Sequence, residues 1–103
     1  QELSLGYTQV TGAGLVHLKG MTNLKTLNLN LTKTTDAGLV HIKGLTTLER
    51  LDLNACTQIT DAGLVHLEKM TNLKILSLVR TEVSMGAYRK LRKSLPKCWV
   101  NFP

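Results

Sequence analysis

Leucine recurs along the chain in a fixed frame: Leu24, Leu27 and Leu29, then Leu48, Leu51 and Leu53, then Leu73, Leu76 and Leu78, with Leu3 and Leu5 ahead of them. The last two leucines of each group alternate with other residues, as Leu51 and Leu53 do with Asp52 and Asn54. Side chains on a strand point to opposite faces at every second residue, so each group predicts a short strand with leucines inward and Asp52 and Asn54 outward. Downstream, Leu64, Leu67 and Met70 fall at a spacing of three, the one-sided stripe of a short helix. Thr60 and Asp61 stand just before that stripe, where a side-chain oxygen can accept from the unpaired amides of a first helical turn; Thr35 and Asp36 repeat the arrangement.

The polar segments repeat as well. Asp-Ala-Gly-Leu-Val-His occurs at Asp36 to His41 and at Asp61 to His66, and Gly-Ala-Gly-Leu-Val-His starts at Gly12. Leu24 to Leu48 is 24 positions and Leu48 to Leu73 is 25. A fixed period in this range means stacked strand-plus-helix units, none of which can bury its apolar face alone, sharing one elongated core. Gly38 and Gly63 each cost about 1 kcal/mol relative to alanine in a helix, so their repetition points to close approach of adjacent backbones, the alternative being a frayed first turn.

Leu48-x-x-Leu51-x-Leu53-x-x-Cys56-x-x-Ile59-Thr60-Asp61-x-Gly63-Leu64-x-x-Leu67 resembles a leucine-rich repeat of the cysteine-containing, ribonuclease-inhibitor-like subtype. The sister units depart from it: Thr8, Thr32 and Thr81 stand in the cysteine slot, Gly12 replaces the aspartate, and Met85-Gly86-Ala87-Tyr88 replaces Asp-Ala-Gly-Leu. The resemblance covers roughly residues 1 to 91. It implies an α/β solenoid of about four units, approximately 1–23, 24–47, 48–72 and 73–97, followed by a closing strand over 98–102. Parallel strands sit about 4.7–4.9 Å apart and helices about 8–10 Å apart, so the parallel sheet lines a concave face and the short helices a convex one.

Outward sheet residues then form columns: Ser4, Asn28, Asp52 and Ser77 in the middle, flanked by Glu2, Thr26, Arg50 and Ile75 on one side and Gly6, Asn30, Asn54 and Val79 on the other. From these, Ser4, Thr26, Asn28, Asn30, Arg50, Asp52, Asn54 and Ser77 are the candidate partner-binding residues. The alternative is that only solvent meets them.

Composition changes the picture in three places. At 103 residues and 43% hydrophobic, the chain is long enough for one continuous core. It begins at Gln1 inside a predicted strand, which suggests a fragment of a longer chain whose uncapped N-terminal edge can self-associate. After Leu95-Pro96, the run Cys98-Trp99-Val100-Asn101-Phe102 reads as the closing strand, with Trp99 and Phe102 expected to cap the core edge.

Net charge is +6, and residues 80–103 hold six basic side chains against Glu82 alone. Arg89, Lys90, Arg92 and Lys93 form a basic patch with two readings, a solvated last helix or a docking surface for nucleic acid or anionic lipid. No aromatic or glycine interleaving accompanies these charges, which weighs against nucleic-acid and membrane partners.

His17, His41 and His66 recur one unit apart on diverging convex helices, which disfavours a shared metal ion, since each ligand must come within about 2.1 Å of it. Ser4 and Ser77 are expected on the opposite face from these histidines, out of nucleophile–base range, and no phosphate loop or cofactor motif is present. Cys56 is expected to satisfy turn backbone as the sister threonines would, and Cys98 to remain a second free thiol. Free thiols, and the resemblance, imply an intracellular, cytoplasmic location. The expectation is a non-catalytic, cofactor-free module that holds a protein or peptide on its concave face. Two alternatives remain: docking of the basic terminal helix, or repeats that only extend a larger solenoid.

Overall fold

A computed structural model describes residues 1–6 and 8–102. Among the described residues the leucine frame forms four strands of three residues each, β1 (Glu2–Ser4), β2 (Thr26–Asn28), β3 (Arg50–Asp52) and β4 (Ile75–Ser77), and the closing segment adds β5 (Trp99–Asn101). They pair in parallel in chain order, with Leu3, Leu27, Leu51, Leu76 and Val100 in direct register. Between strands the chain passes through a 3₁₀ helix (Gly12–Leu18) and helices α1 (Leu39–Ile42), α2 (Asp61–Leu64) and α3 (Met85–Ser94). Leucines of every unit are buried between the two layers, including Leu24, Leu27 and Leu29, Leu48, Leu51 and Leu53, and Leu73, Leu76 and Leu78. This is the α/β solenoid of stacked strand-plus-helix units that the periodicity predicts.

The chain turns sharply after β2, β3 and β4. Leu31, Ala55 and Arg80 adopt positive φ of 58°, 60° and 62°, a left-handed conformation that costs a residue with a Cβ about 1–2 kcal/mol. Neighbouring units hold these turns in place: Leu31 N–H donates to the Asn54 carbonyl at 2.9 Å and Ala55 N–H to the Val79 carbonyl at 2.7 Å.

The helices are shorter than their apolar stripe suggests. Past α2, Leu67 and Met70 sit in turns whose amides bond three residues back, to Leu64 and Leu67 at 3.0 and 3.1 Å. A spacing of three suits such 3₁₀-type turns, in which residues three apart eclipse.

Thr60 caps α2 as expected, accepting from Ala62 N–H at 3.3 Å, but Thr35 and Asp36 do not repeat it. Helix α1 starts later, at Leu39, without a side-chain cap. The Asp36 carboxylate turns instead to the next unit, where it accepts from Thr60 N–H at 2.7 Å and from the Thr60 hydroxyl. Asp61 does the same one unit on, accepting from Ser84 N–H at 2.6 Å and Ser84 Oγ at 2.7 Å. Two donors converging on one ionised acceptor outweigh a single local capping bond. The close approach expected at Gly63 is real but is made to side chains: a Cβ there would run into the Asp36 carboxylate and lie 3.0 Å from Leu39 Cδ1.

Cys56 is fully buried and donates from Sγ to the Leu29 carbonyl of the preceding unit at 3.0 Å. Thr32 and Thr81 bond carbonyls within their own units, Leu29 and Leu78, both at 2.8 Å. The cysteine therefore satisfies turn backbone as expected, but across the unit boundary.

The C-terminal lid differs from the expected one. Phe102 stacks on Tyr88 with centroids 4.6 Å apart, and the Arg92 guanidinium lies 5.8 Å from the other ring centre of the pair, that of Tyr88. Trp99 is no lid: it is 69% exposed. Its pairing with Ile75 puts it among the outward residues, because side chains alternate along β5 and Val100 takes the inward position.

Candidate functional site

Sheet register assembles the columns from single residues. Ser4, Asn28, Asp52, Ser77 and Asn101 are successive partners in one row, and Glu2, Thr26, Arg50, Ile75 and Trp99 in the next. A concavity of about 500 Å³ opens over β1 to β3, lined by Glu2, Leu3, Ser4, Thr26, Asn28, Arg50 and Asp52. Five of the candidate residues named from the sequence meet there: Ser4, Thr26, Asn28, Arg50 and Asp52.

Within that row the candidates differ in what they offer. Asp52 and Ser77 lie in the expected column, but both are buried, at 6% and 4% exposure, which corrects their reading as freely outward groups. Arg50 Nε donates to Asp52 Oδ2 at 3.2 Å, and its own side chain stays half-exposed. Asp52 Oδ1 is buried and takes no hydrogen bond from the protein. Buried carboxylate oxygens normally take a donor, so this one is left unsatisfied within the fold, and the half-exposed Arg50 guanidinium is the charged group that the groove presents.

Asn30 and Asn54 belong to a different structure. Asn30 Oδ1 accepts from Asn54 N–H at 2.8 Å, and Asn54 Oδ1 accepts from Val79 N–H at 2.9 Å and Ser77 Oγ at 2.7 Å. These amides tie the end of β2 to that of β3 and the end of β3 to that of β4. Their acceptor oxygens are committed to the fold, so a partner meets only the remaining edge of each side chain.

The residue that sequence reasoning missed here is Trp99. Its indole Nε1 donates to Asn101 Oδ1 at 2.6 Å, which fixes an exposed aromatic plane beside Ile75. The signal was available in the period: Trp99 falls 24 positions after Ile75, as Ile75 falls 25 after Arg50.

On the other side, Arg89, Lys90, Arg92 and Lys93 are all exposed on α3. Lys90 pairs with Glu68 at 3.8 Å. His17 is exposed, and His41 and His66 are half-buried, on the layer opposite the strands that carry Ser4 and Ser77. Sheet and core separate these serines from the imidazoles. Burial pushes the Cys98 thiol up, which keeps it protonated and a poor nucleophile.

Residues 44–67 match the family model described as Leucine Rich repeat. No curated protein matches the chain. The matched stretch contains β3, Cys56 and α2, and the same leucine frame is paired in register on both sides of it. Match and architecture together support a solenoid fold of the leucine-rich-repeat type, and domains of that type generally mediate protein–protein interaction.

Proposed function

We propose that the chain is a non-catalytic recognition module of the cysteine-containing subtype, working inside cells, which holds a protein or peptide on its concave sheet face. The observation that carries this reading is the row Thr26, Arg50, Ile75 and Trp99, ending in an indole that is 69% exposed yet held by its own hydrogen bond. A rigid exposed aromatic buries a large area on binding with little loss of side-chain freedom, which is why tryptophan and arginine dominate binding hot spots. Arg50, half-exposed and held in place by Asp52 Oδ2, supplies the polar half of the site. A partner carboxylate or carbonyl would meet the exposed edge of the Arg50 guanidinium, while an apolar partner side chain packs on Trp99 and Ile75.

Partner capture with the intact protein, followed by titration calorimetry, tests this. Trp99→Ala and Arg50→Ala are each expected to weaken binding by roughly tenfold or more, the range of a hot-spot truncation. Unchanged affinity in both variants, with folding verified by circular dichroism, would remove the concave face as the binding surface.

A further inference from the structure

The helical side carries a second surface that the concave reading does not use. Val16, Val40 and Val65 occupy the same place in three successive units and are 36, 41 and 51% exposed. Each is followed within four residues by an exposed lysine, Lys19, Lys43 or Lys69. Among the described residues none of these lysines is in an ion pair. Helix α3 continues the band with exposed Arg89 and Lys93.

Carboxylates are nearly excluded from it. Glu68 is the one acid in these turns, and Lys90 lies 3.8 Å from it. Glu2 and Asp52 are on strands, Glu49 immediately precedes β3, and Asp36, Asp61 and Glu82 sit between a strand and its helical turn or at that turn's first residue. The fold therefore sorts charge: positive side chains spread over three units gather on the convex side, where the sequence alone showed only a basic C-terminal segment.

Between the second and third units a depression of about 440 Å³ is lined by Lys43, Gly44, Val65, His66, Lys69 and Met70. A Cβ at Gly44 would meet nothing within 4 Å, so this depression opens freely outward. Two cations thus flank an apolar floor. A phosphate polymer would use the cations but gain nothing from exposed valines, whereas an anionic bilayer uses both. Valine enters the boundary between headgroups and acyl chains, and lysine stems lie along that boundary with their ammonium groups among the phosphates.

We propose that the convex band formed by Val40, Lys43, Val65 and Lys69, continued by Arg89 and Lys93, docks on an anionic phospholipid surface. It leaves the concave face free for its partner. Co-sedimentation of the full chain with phosphatidylcholine vesicles, with and without phosphatidylserine, is the test, run beside duplex DNA binding.

Binding is expected only to phosphatidylserine vesicles, falling as salt is raised. Lys43→Glu with Lys69→Glu is expected to lower it by more than about tenfold. Val40→Ser with Val65→Ser is expected to weaken vesicle binding severalfold and leave any DNA binding unchanged, and Trp99→Ala to leave vesicle binding intact. The proposal is overturned if phosphatidylserine adds nothing, if salt has no effect, or if the valine variant, still folded by circular dichroism, binds vesicles like the parent. DNA binding tighter than vesicle binding would equally overturn it, in favour of a nucleic-acid surface.

Discussion

At the scale of single residues, repetition does not mean equivalence. Asn30 and Asn54 sit in a column that the pattern marks as outward, yet their carbonyl oxygens hold the next unit's backbone amides. Gly63 and Gly44, at different places in the repeat, are held in opposite ways. Gly63 is pressed against Asp36 and Leu39, while Gly44 faces open space, and neither has a positive φ. Gly63→Ala is therefore expected to destabilise the fold by about 1–3 kcal/mol through overpacking. Gly44→Ala is expected to be neutral or to stabilise by up to about 1 kcal/mol, because it restricts only the unfolded chain. Urea unfolding of the two variants checks both, and equal effects would contradict the packing described at Gly63. Trp99 gives a third residue-scale expectation, since it is the sole tryptophan and mostly exposed. Its fluorescence in the free native protein should resemble that of solvated tryptophan, change little on unfolding, and shift to the blue when a partner covers the concave face. Strongly blue-shifted emission from the free protein would restore the expectation of a buried lid.

At the scale of elements, polar side chains join one strand-plus-helix unit to the next. Two kinds of carboxylate contact do this. Asp61 accepts from the Ser84 amide and hydroxyl, which hold its carboxyl below the usual carboxylate range, the backbone bond contributing most. Glu49 lies 3.5 Å from both Lys74 and Lys25, and Lys74 first, with Lys25 beside it, lowers its carboxyl likewise. Both groups bind protons less readily folded than unfolded. The stability they contribute is present above their unfolded values and is lost as pH falls from about 4 through the depressed folded values. Asp61→Asn should accordingly be less stable than the parent at neutral pH, with the gap closing on acidification as Asp61 itself becomes protonated. Chemical unfolding at a series of pH values measures this, and a gap independent of pH would show that the Asp61 charge has no part in joining the units.

At the scale of the whole molecule, the sequence determined the solenoid and its direction. Period, leucine spacing and strand alternation set which residues enter the core and which rows they form, because stacked identical units have little freedom except to stay in register. Thus Leu51 faces inward and the Arg50 row faces outward, as the pattern requires. What each outward residue does with its position was decided only by contacts between units, which no linear pattern contains. Asp36 leaves its local helix because Thr60 of the next unit offers two donors, and Asp52 is shielded by Arg50 two residues away on the same face. The closing segment shows the same division. Alternation alone fixed that Val100 and Trp99 point to opposite sides, but which side faces the core followed from the pairing of Trp99 with Ile75, and that placed the indole on the recognition face. The convex charge band is likewise a product of stacking: residues 24 or more positions apart in the chain become lateral neighbours, so Lys43 and Lys69 share one depression only once the units are folded together.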